Sequence, residues 1–305
     1  MPEDSTKNEP SAAHRSGFVA IVGRPNVGKS TLLNQLLGEK VAIVTPKPQT
    51  TRNRIRGIKT TPRAQIVFVD TPGIHRASSL MNRRMVEAAV HTLSEVDVVL
   101  WLVDATRPLT PEDHDIAQTL NRSPAPVIVL LNKMDLVDKP ALLPLMEKCS
   151  ALLPGKEILP ISAATGENVD TLLELLIQRL PEGPRYYPED ELTDQTERFV
   201  AAEIIREKVF LLTEEEIPYH VAVTVDEFQE KPEKNLIVIK ATIYTERESH
   251  KAILIGKRGA KLKEIGTRAR EELEPLLGCR VFLELFVKVQ PGWTQNPRTL
   301  AEFGL

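Results

Sequence analysis

The chain has 305 residues, 42% hydrophobic and 27% charged, with a net charge of −3; these are the proportions of a soluble globular protein of about two domains. Its two cysteines, Cys149 and Cys279, stand far apart with no C-x-x-C and no histidine cluster, which argues against a disulfide framework or a zinc site and fits a reducing cytoplasm. No apolar run reaches the roughly 18 residues of a membrane span, and the polar, mixed-charge stretch 1–16 lacks the apolar core of a signal peptide and reads as a disordered extension.

Residues 17–182 alternate apolar strands with helices. The first strand, Phe18–Val22, and the first helix, Lys29–Leu37, enclose Gly23-Arg24-Pro25-Asn26-Val27-Gly28-Lys29-Ser30, with Thr31 directly behind. This fits the phosphate-loop pattern G-x-x-x-x-G-K-[ST] in its required strand–loop–helix setting. The glycines let successive N–H groups turn toward phosphate oxygens, and the helix N-terminus adds about half a positive charge. Lys29 is expected to reach the β- and γ-phosphates and the Ser30 hydroxyl to ligate Mg²⁺.

Arg54–Thr60 and Ala64–Val69 flank Thr61-Pro62-Arg63 as a hairpin and so predict one antiparallel edge strand. The second of them runs into Asp70-Thr71-Pro72-Gly73. An aspartate at such a strand tip can hold Mg²⁺, here through a water, and the Gly73 N–H can sense a γ-phosphate. Helices are predicted over Leu80–Leu93, Pro111–Leu120, Ala141–Leu152 and Val169–Arg179, with strands over Val96–Val103, Val127–Leu131 and Glu157–Pro160. Near-continuous Val/Ile/Leu strands of this kind argue for an α/β fold, a mostly parallel sheet with helices on both faces and its ligand at the carboxyl ends of the strands.

Asn132-Lys133-Met134-Asp135 ends one of those strands. The Asp135 carboxylate can accept from guanine N1–H and N2–H₂, a donor pair that adenine lacks, so the motif selects GTP over ATP. Lys133 can lay its stem over the base, and Asn132 can brace the loops. Ser162-Ala163-Ala164 can offer backbone N–H to guanine O6. Together these elements resemble the translation-factor-related GTPases. The first switch then falls between Glu39 and Gly57, where Thr51 or Thr50 can close on Mg²⁺ and the γ-phosphate; threonine directly before Arg52 favours Thr51. Ile74 stands where many small GTPases place a water-orienting glutamine, so slow intrinsic turnover is expected. GTPases with a hydrophobic residue there often carry an asparagine in the phosphate loop that helps bind K⁺, and Asn26 occupies that place. The catalytic set is thus Lys29, Thr51, Gly73 and Asn26.

Pro181-Glu182-Gly183-Pro184-Arg185-Tyr186-Tyr187-Pro188 breaks the alternation, and residues 183–192 read as a semi-rigid Pro-rich connector. Beyond it, residues 193–305 follow an α-β-β-α-α-β order: Gln195–Leu212, His220–Glu227, Leu236–Thr245, Ser249–Ile255, Ala260–Leu277 and Arg280–Gln290. Residues 184–305 carry a net −4, yet residues 251–270 carry a net +6, which is a focused anion site rather than a general coating. Gly256-Lys257-Arg258-Gly259 sits inside that island between two helices. It resembles the G-x-x-G loop of KH domains, which clamps a single-stranded nucleic acid backbone. The expected RNA contacts are Ile255, Gly256, Lys257, Arg258, Gly259, Lys261 and Lys263.

One GTPase domain, a short Pro-rich connector and a type II KH domain in this order resemble the Era family of bacterial GTPases, over about Gly17 to Trp293. The closing Val287-Lys288-Val289-Gln290-Pro291-Gly292-Trp293 is similar too. The resemblance implies a ribosome-assembly GTPase that binds the 3′ end region of small-subunit ribosomal RNA and the small ribosomal subunit. A cytoplasmic monomer is expected, with a peripheral membrane contact as a further expectation. Two other readings remain at this point: a GTPase linked to a tRNA-related process, and a GTP-binding scaffold that does not hydrolyse.

Overall fold

The computed structural model describes residues 14–74 and 79–305. Nine strands and nine helices of more than one turn are among them. The first domain contains β1 (Arg15–Gly23), α1 (Lys29–Leu37), β2 (Ile55–Thr60), β3 (Ala64–Asp70), α2 (Leu80–Thr92), β4 (Val98–Asp104), α3 (Pro111–Leu120), β5 (Val127–Asn132), α4 (Lys139–Leu152), β6 (Glu157–Pro160) and α5 (Val169–Arg179). Its sheet has the order β2-β3-β1-β4-β5-β6. Only the β2–β3 hairpin is antiparallel, as its short connection requires.

Successive side chains of β1 alternate between two cores. Val19 and Ile21 pack with Leu32, Leu33 and Leu36 of α1 and Leu172 and Leu176 of α5. Ala20 and Val22 pack on the other face with Ala89 of α2, Ile116 of α3 and Leu145 of α4. Both faces being covered explains why the strands read as unbroken apolar runs. The loops after β1, β3 and β5 then emerge at one end of the sheet.

The predicted extension over residues 1–16 lies outside the described residues except at its end, where the structure corrects it. Arg15 and Ser16 already belong to β1, in register with Ala64 and Gln65 of β3. The Arg15 guanidinium donates to the Leu180 carbonyl at 2.6 Å, which orders the chain ahead of Gly17. The connector is not a free spacer either. Tyr186 and Tyr187 donate their N–H groups to Gln65 Oε1, the Tyr186 ring stacks on Phe18 at 5.4 Å, and Ile58 donates to the Leu192 carbonyl.

The second domain contains α6 (Glu197–Leu212), β7 (Val221–Lys231), β8 (Leu236–Thr245), α7 (Glu248–Ile255), α8 (Ala260–Leu277), β9 (Arg280–Val289) and α9 (Pro297–Glu302). The sheet order is β7-β8-β9, with β7 antiparallel and β9 parallel to β8. Helices α6, α7 and α8 cover one face through Ile205, Phe210, Leu254, Ile265 and Leu273. Helix α9 was not predicted from the sequence, because its six residues are too few to show a helical period; it begins at an Asn296 cap followed by Pro297.

The two domains meet in a small core of their own. Met81 and Met85 on α2 pack with Ala222, Trp293 and Leu300 of the second domain. Helix α2 follows the Asp70–Gly73 loop, so this contact joins the C-terminal segment to the element behind that loop.

Candidate nucleotide site and nucleic-acid interface

The phosphate loop closes tightly between β1 and α1. Gly28 has φ 102°, and a Cβ there would come within 2.3 Å of Asn132 Nδ2, so no larger residue fits. Asn132 donates from that nitrogen to the Val27 carbonyl at 2.7 Å and accepts from Ala163 N–H at 2.9 Å. It therefore ties the phosphate loop to the Ser162-Ala163 turn. Ser162 N–H is engaged as well, with the Glu167 carbonyl. Lys133 reaches across the site, donating to the Asn26 carbonyl at 3.0 Å and to Asp104 Oδ2 at 2.6 Å. Asp135 lies in the following 3₁₀ turn and is exposed.

At the other end, three oxygen-bearing side chains converge. Ser30 Oγ lies 2.8 Å from Thr51 Oγ1 and donates to Asp70 Oδ2 at 2.7 Å. Thr51 Oγ1 reaches the same carboxylate oxygen at 3.3 Å. Asp70 Oδ1 is buried and has no partner. A buried, unsatisfied carboxylate oxygen beside two hydroxyls is a hard-oxygen donor set of the kind Mg²⁺ takes, so the residues fit that ion. Thr50 instead turns its hydroxyl to Thr45 at 2.6 Å and to the Lys47 carbonyl at 2.8 Å. Lys29 is buried and donates to the Gly23 and Arg24 carbonyls. Burial pushes its ammonium down to about 8 against the attraction of Asp70. Burial likewise pushes the Asp70 carboxyl up, opposed by Lys29 and by hydrogen bonds from Ser30, Thr51 and the Thr71 N–H.

Not every residue of the motifs faces the cavity. Arg24 turns its guanidinium outward to Asp113 on α3, Nε to Oδ1 at 2.8 Å, so only its backbone remains for phosphate. Val27 is buried in the core, and Thr71 donates to the Ile21 carbonyl at 2.8 Å; both hold the loops rather than the ligand. Ile74 donates its N–H to the Gly23 carbonyl at 3.2 Å and buries its side chain among Ala89, Trp101 and Leu131. It cannot present a polar group to water. Asp104 was missed by the sequence reading. It stands in register beside Asn132 at the adjacent strand end; burial alone would raise its carboxyl, but Lys133 and Thr106 outweigh that and hold it below the usual range.

In the second domain, Gly256 and Gly259 take φ 70° and 79°, and Arg258 between them takes φ 53°. That tight turn leaves Lys257 and Arg258 exposed at its tip. A cleft of about 480 Å³ opens beside it, lined by Leu262, Lys263, Gly266, Thr267 and Arg270 of α8 and by Phe282, Leu283 and the acidic Glu284 of β9. The pairing of apolar floor and basic wall suits bases and phosphates respectively. Two residues depart from expectation. Lys261 bends back to donate to the Leu212 carbonyl at 3.0 Å, closing the end of α6 instead of facing the cleft. Phe282, 55% exposed, was not picked out from the sequence; its signal was an aromatic residue at the outward position of a strand edge.

Fold and site together define a phosphate-loop, guanine-nucleotide-type domain joined to a KH domain. A family described as 50S ribosome-binding GTPase matches residues 18–133, and the KH domain family matches residues 216–294. The GTPase Era of Syntrophus aciditrophicus is 56% identical over 290 residues, covering 95% of each chain. That of Geobacter metallireducens is 54% identical over 95% of this chain and 97% of its own. A crystal structure of a point variant of Aquifex aeolicus Era bound to GDP·AlF4⁻ superposes with a TM-score of 0.92 at 47% identity, covering 95% of this chain and 99% of that one. A structure of Era in complex with MgGDPNP and nucleotides 1506–1542 of 16S ribosomal RNA superposes equally well, at the same identity and coverage. The chain belongs to the Era family and is a GTPase.

Proposed function

We propose that this protein binds the 3′ end region of small-subunit ribosomal RNA through the Gly256–Gly259 cleft and that GTP controls the binding during assembly of the small ribosomal subunit. The observation that carries the reading is the contact of the first switch with the second domain. Residues 40–52 border the Ser30–Thr51–Asp70 cluster and are bonded along their length to α6 and the turn after it. Support also comes from the 47%-identical Era, which holds MgGDPNP and 16S RNA at once.

In the GTPase reaction, Lys29 and the phosphate-loop N–H groups hold and neutralise the β- and γ-phosphates. Ser30, Thr51 and Asp70, the last through a water, would hold Mg²⁺, which when bound offsets phosphate charge. Gly73 presents its N–H to the γ-phosphate. Asp135 reads the guanine edge, Lys133 flanks it, and the Ser162–Ala164 turn closes the base end. With Ile74 turned into the core, no side chain at that position orients the attacking water, so turnover on its own is slow. Asn26 donates its amide N–H to the Pro46 carbonyl at 2.7 Å, and its Oδ1 would be the atom that holds K⁺, which would offset phosphate charge. Among the described residues no helix is long and apolar enough to cross a membrane. Work on ribosomal subunits would place the chain in the cytoplasm, and we propose it acts there as a monomer.

Crosslinking in cells followed by sequencing of the bound RNA tests the reading. It predicts enrichment of the 3′ region of small-subunit RNA; enrichment of tRNA instead, or of no RNA, would refute it.

A further inference from the structure

Arg52 is buried, only 4% exposed, in the seam between the two domains. Its Nη1 donates to the Val221 carbonyl at 2.5 Å, and its Nη2 donates to the Pro218 and Tyr219 carbonyls, each at 3.1 Å. The guanidinium carbon lies 5.6 Å from the centroid of Phe210 and 5.9 Å from that of Trp293. All five partners belong to the second domain. A buried guanidinium is costly unless its donors are matched; here both terminal nitrogens are matched by three carbonyls and the group is flanked by two aromatic faces, while the buried Nε has no partner. Such a seat has one geometry.

The residue before it is Thr51, whose hydroxyl meets Ser30 and Asp70. The two neighbouring side chains thus go to different partners, Thr51 to the first domain and Arg52 to the second. Hence one peptide unit joins the phosphate end of the nucleotide site to a fixed seat in the second domain. The rest of the switch follows the same course. Arg206 on α6 donates to the Thr50 carbonyl at 2.6 Å. Lys47 donates to the Phe210 and Thr213 carbonyls, and Val44 N–H to Glu207 Oε1 at 2.9 Å. Arg206 is buried as deeply, at 3% exposed, and lies 5.3 Å from the Phe210 centroid, but it belongs to the second domain; Arg52 is the side chain the switch itself sends into the seam. A ligand shifts an equilibrium only by contacts that differ between the two states. Releasing Thr51 from the phosphate end leaves Arg52 two courses: to quit its carbonyl seat, or to carry the second domain with it.

We propose that Arg52 is the positioning residue through which occupancy of the γ-phosphate site sets the placement of the second domain, which carries the Gly256–Gly259 cleft, and so couples RNA affinity to the nucleotide. The proposal rests on the nucleotide-switched reading above and adds the residue that carries the signal. It touches neither nucleotide nor RNA.

The test measures RNA affinity of the full chain at one fixed salt, loaded with Mg·GDPNP and with Mg·GDP, for the unmodified protein and for Arg52→Gln. The unmodified protein should show a ratio of about tenfold or more, within the usual range of coupling between sites. Arg52→Gln should bring that ratio to within about twofold of unity while its affinity for GDP stays within about twofold. An unchanged ratio overturns the proposal. So does a parallel loss of RNA affinity in both nucleotide states, which marks a merely structural residue. If the unmodified protein itself shows no dependence on nucleotide, the functional reading fails and the proposal with it. Should Arg52→Gln fail to hold GDP, Arg52→Lys decides by the same ratio, since lysine keeps the charge but cannot bridge three carbonyls.

Discussion

The nucleotide site and the cleft beside Gly256–Gly259 are built in opposite ways. In the first, the groups at the phosphate end are mostly buried and the loops hold one another: Asn132 ties two loops, Lys133 pairs with Asp104, and Ser30 and Thr51 share one oxygen of Asp70. In the second, Lys257, Arg258 and Phe282 project into solvent from a tight turn and a strand edge. A small, highly charged ligand needs a preorganised, water-poor seat, whereas a flexible polymer is gripped by many exposed contacts, each worth little. The difference predicts steep, near-complete losses at one end of the molecule and graded losses at the other.

The largest effect is expected at the buried end. Lys29→Ala leaves phosphate charge uncompensated in a closed site, so affinity for GTP should fall at least about a hundredfold, as read by displacement of a fluorescent guanine nucleotide. A loss of only a few-fold would mean the loop is less closed than its packing indicates. At the exposed end, Lys257→Glu with Arg258→Glu should weaken RNA binding and lower the slope of log affinity against log salt by about 1.4, while GTP hydrolysis without RNA stays as it was. Phe282→Ala should cost roughly 1–3 kcal/mol of RNA binding if a base stacks there, with no change in the salt slope. Its failure to do so would confine the interface to the turn and α8. The smallest effect concerns the thiols. Cys149 is buried, and burial and then Asp113 push it up to about 11; below that pH it stays a protonated thiol. Cys279 is partly exposed. Iodoacetamide at neutral pH should therefore label Cys279 in the folded protein and reach Cys149 only after denaturant is added.

Legibility in the sequence followed the same division. The strands and helices around the phosphate loop were readable because both faces of that sheet are covered, which leaves unbroken apolar runs, and because Pro111, Gly28 and Gly38 punctuate helix ends. The nucleotide motifs were readable because their chemistry constrains several adjacent residues at once. What the sequence hid was direction. Arg24 and Lys261 sit within basic motifs, yet each turns back to a structural partner, Asp113 and the Leu212 carbonyl. Arg52 read as a marker for Thr51; only the fold brings Pro218, Tyr219 and Val221 around it, from 166 to 169 residues further along the chain. Pairings of that span leave no local period or spacing, and the same holds for the contact of α2 with Trp293 and Leu300.

The central claim is that the γ-phosphate end of the first site governs the second. The most direct measurement is RNA affinity of the unmodified protein in the Mg·GDPNP and Mg·GDP states at one salt concentration, using an RNA that carries the 3′ end of the small-subunit sequence. Binding should be tighter with Mg·GDPNP, by about tenfold. Equal affinities in the two states would contradict it.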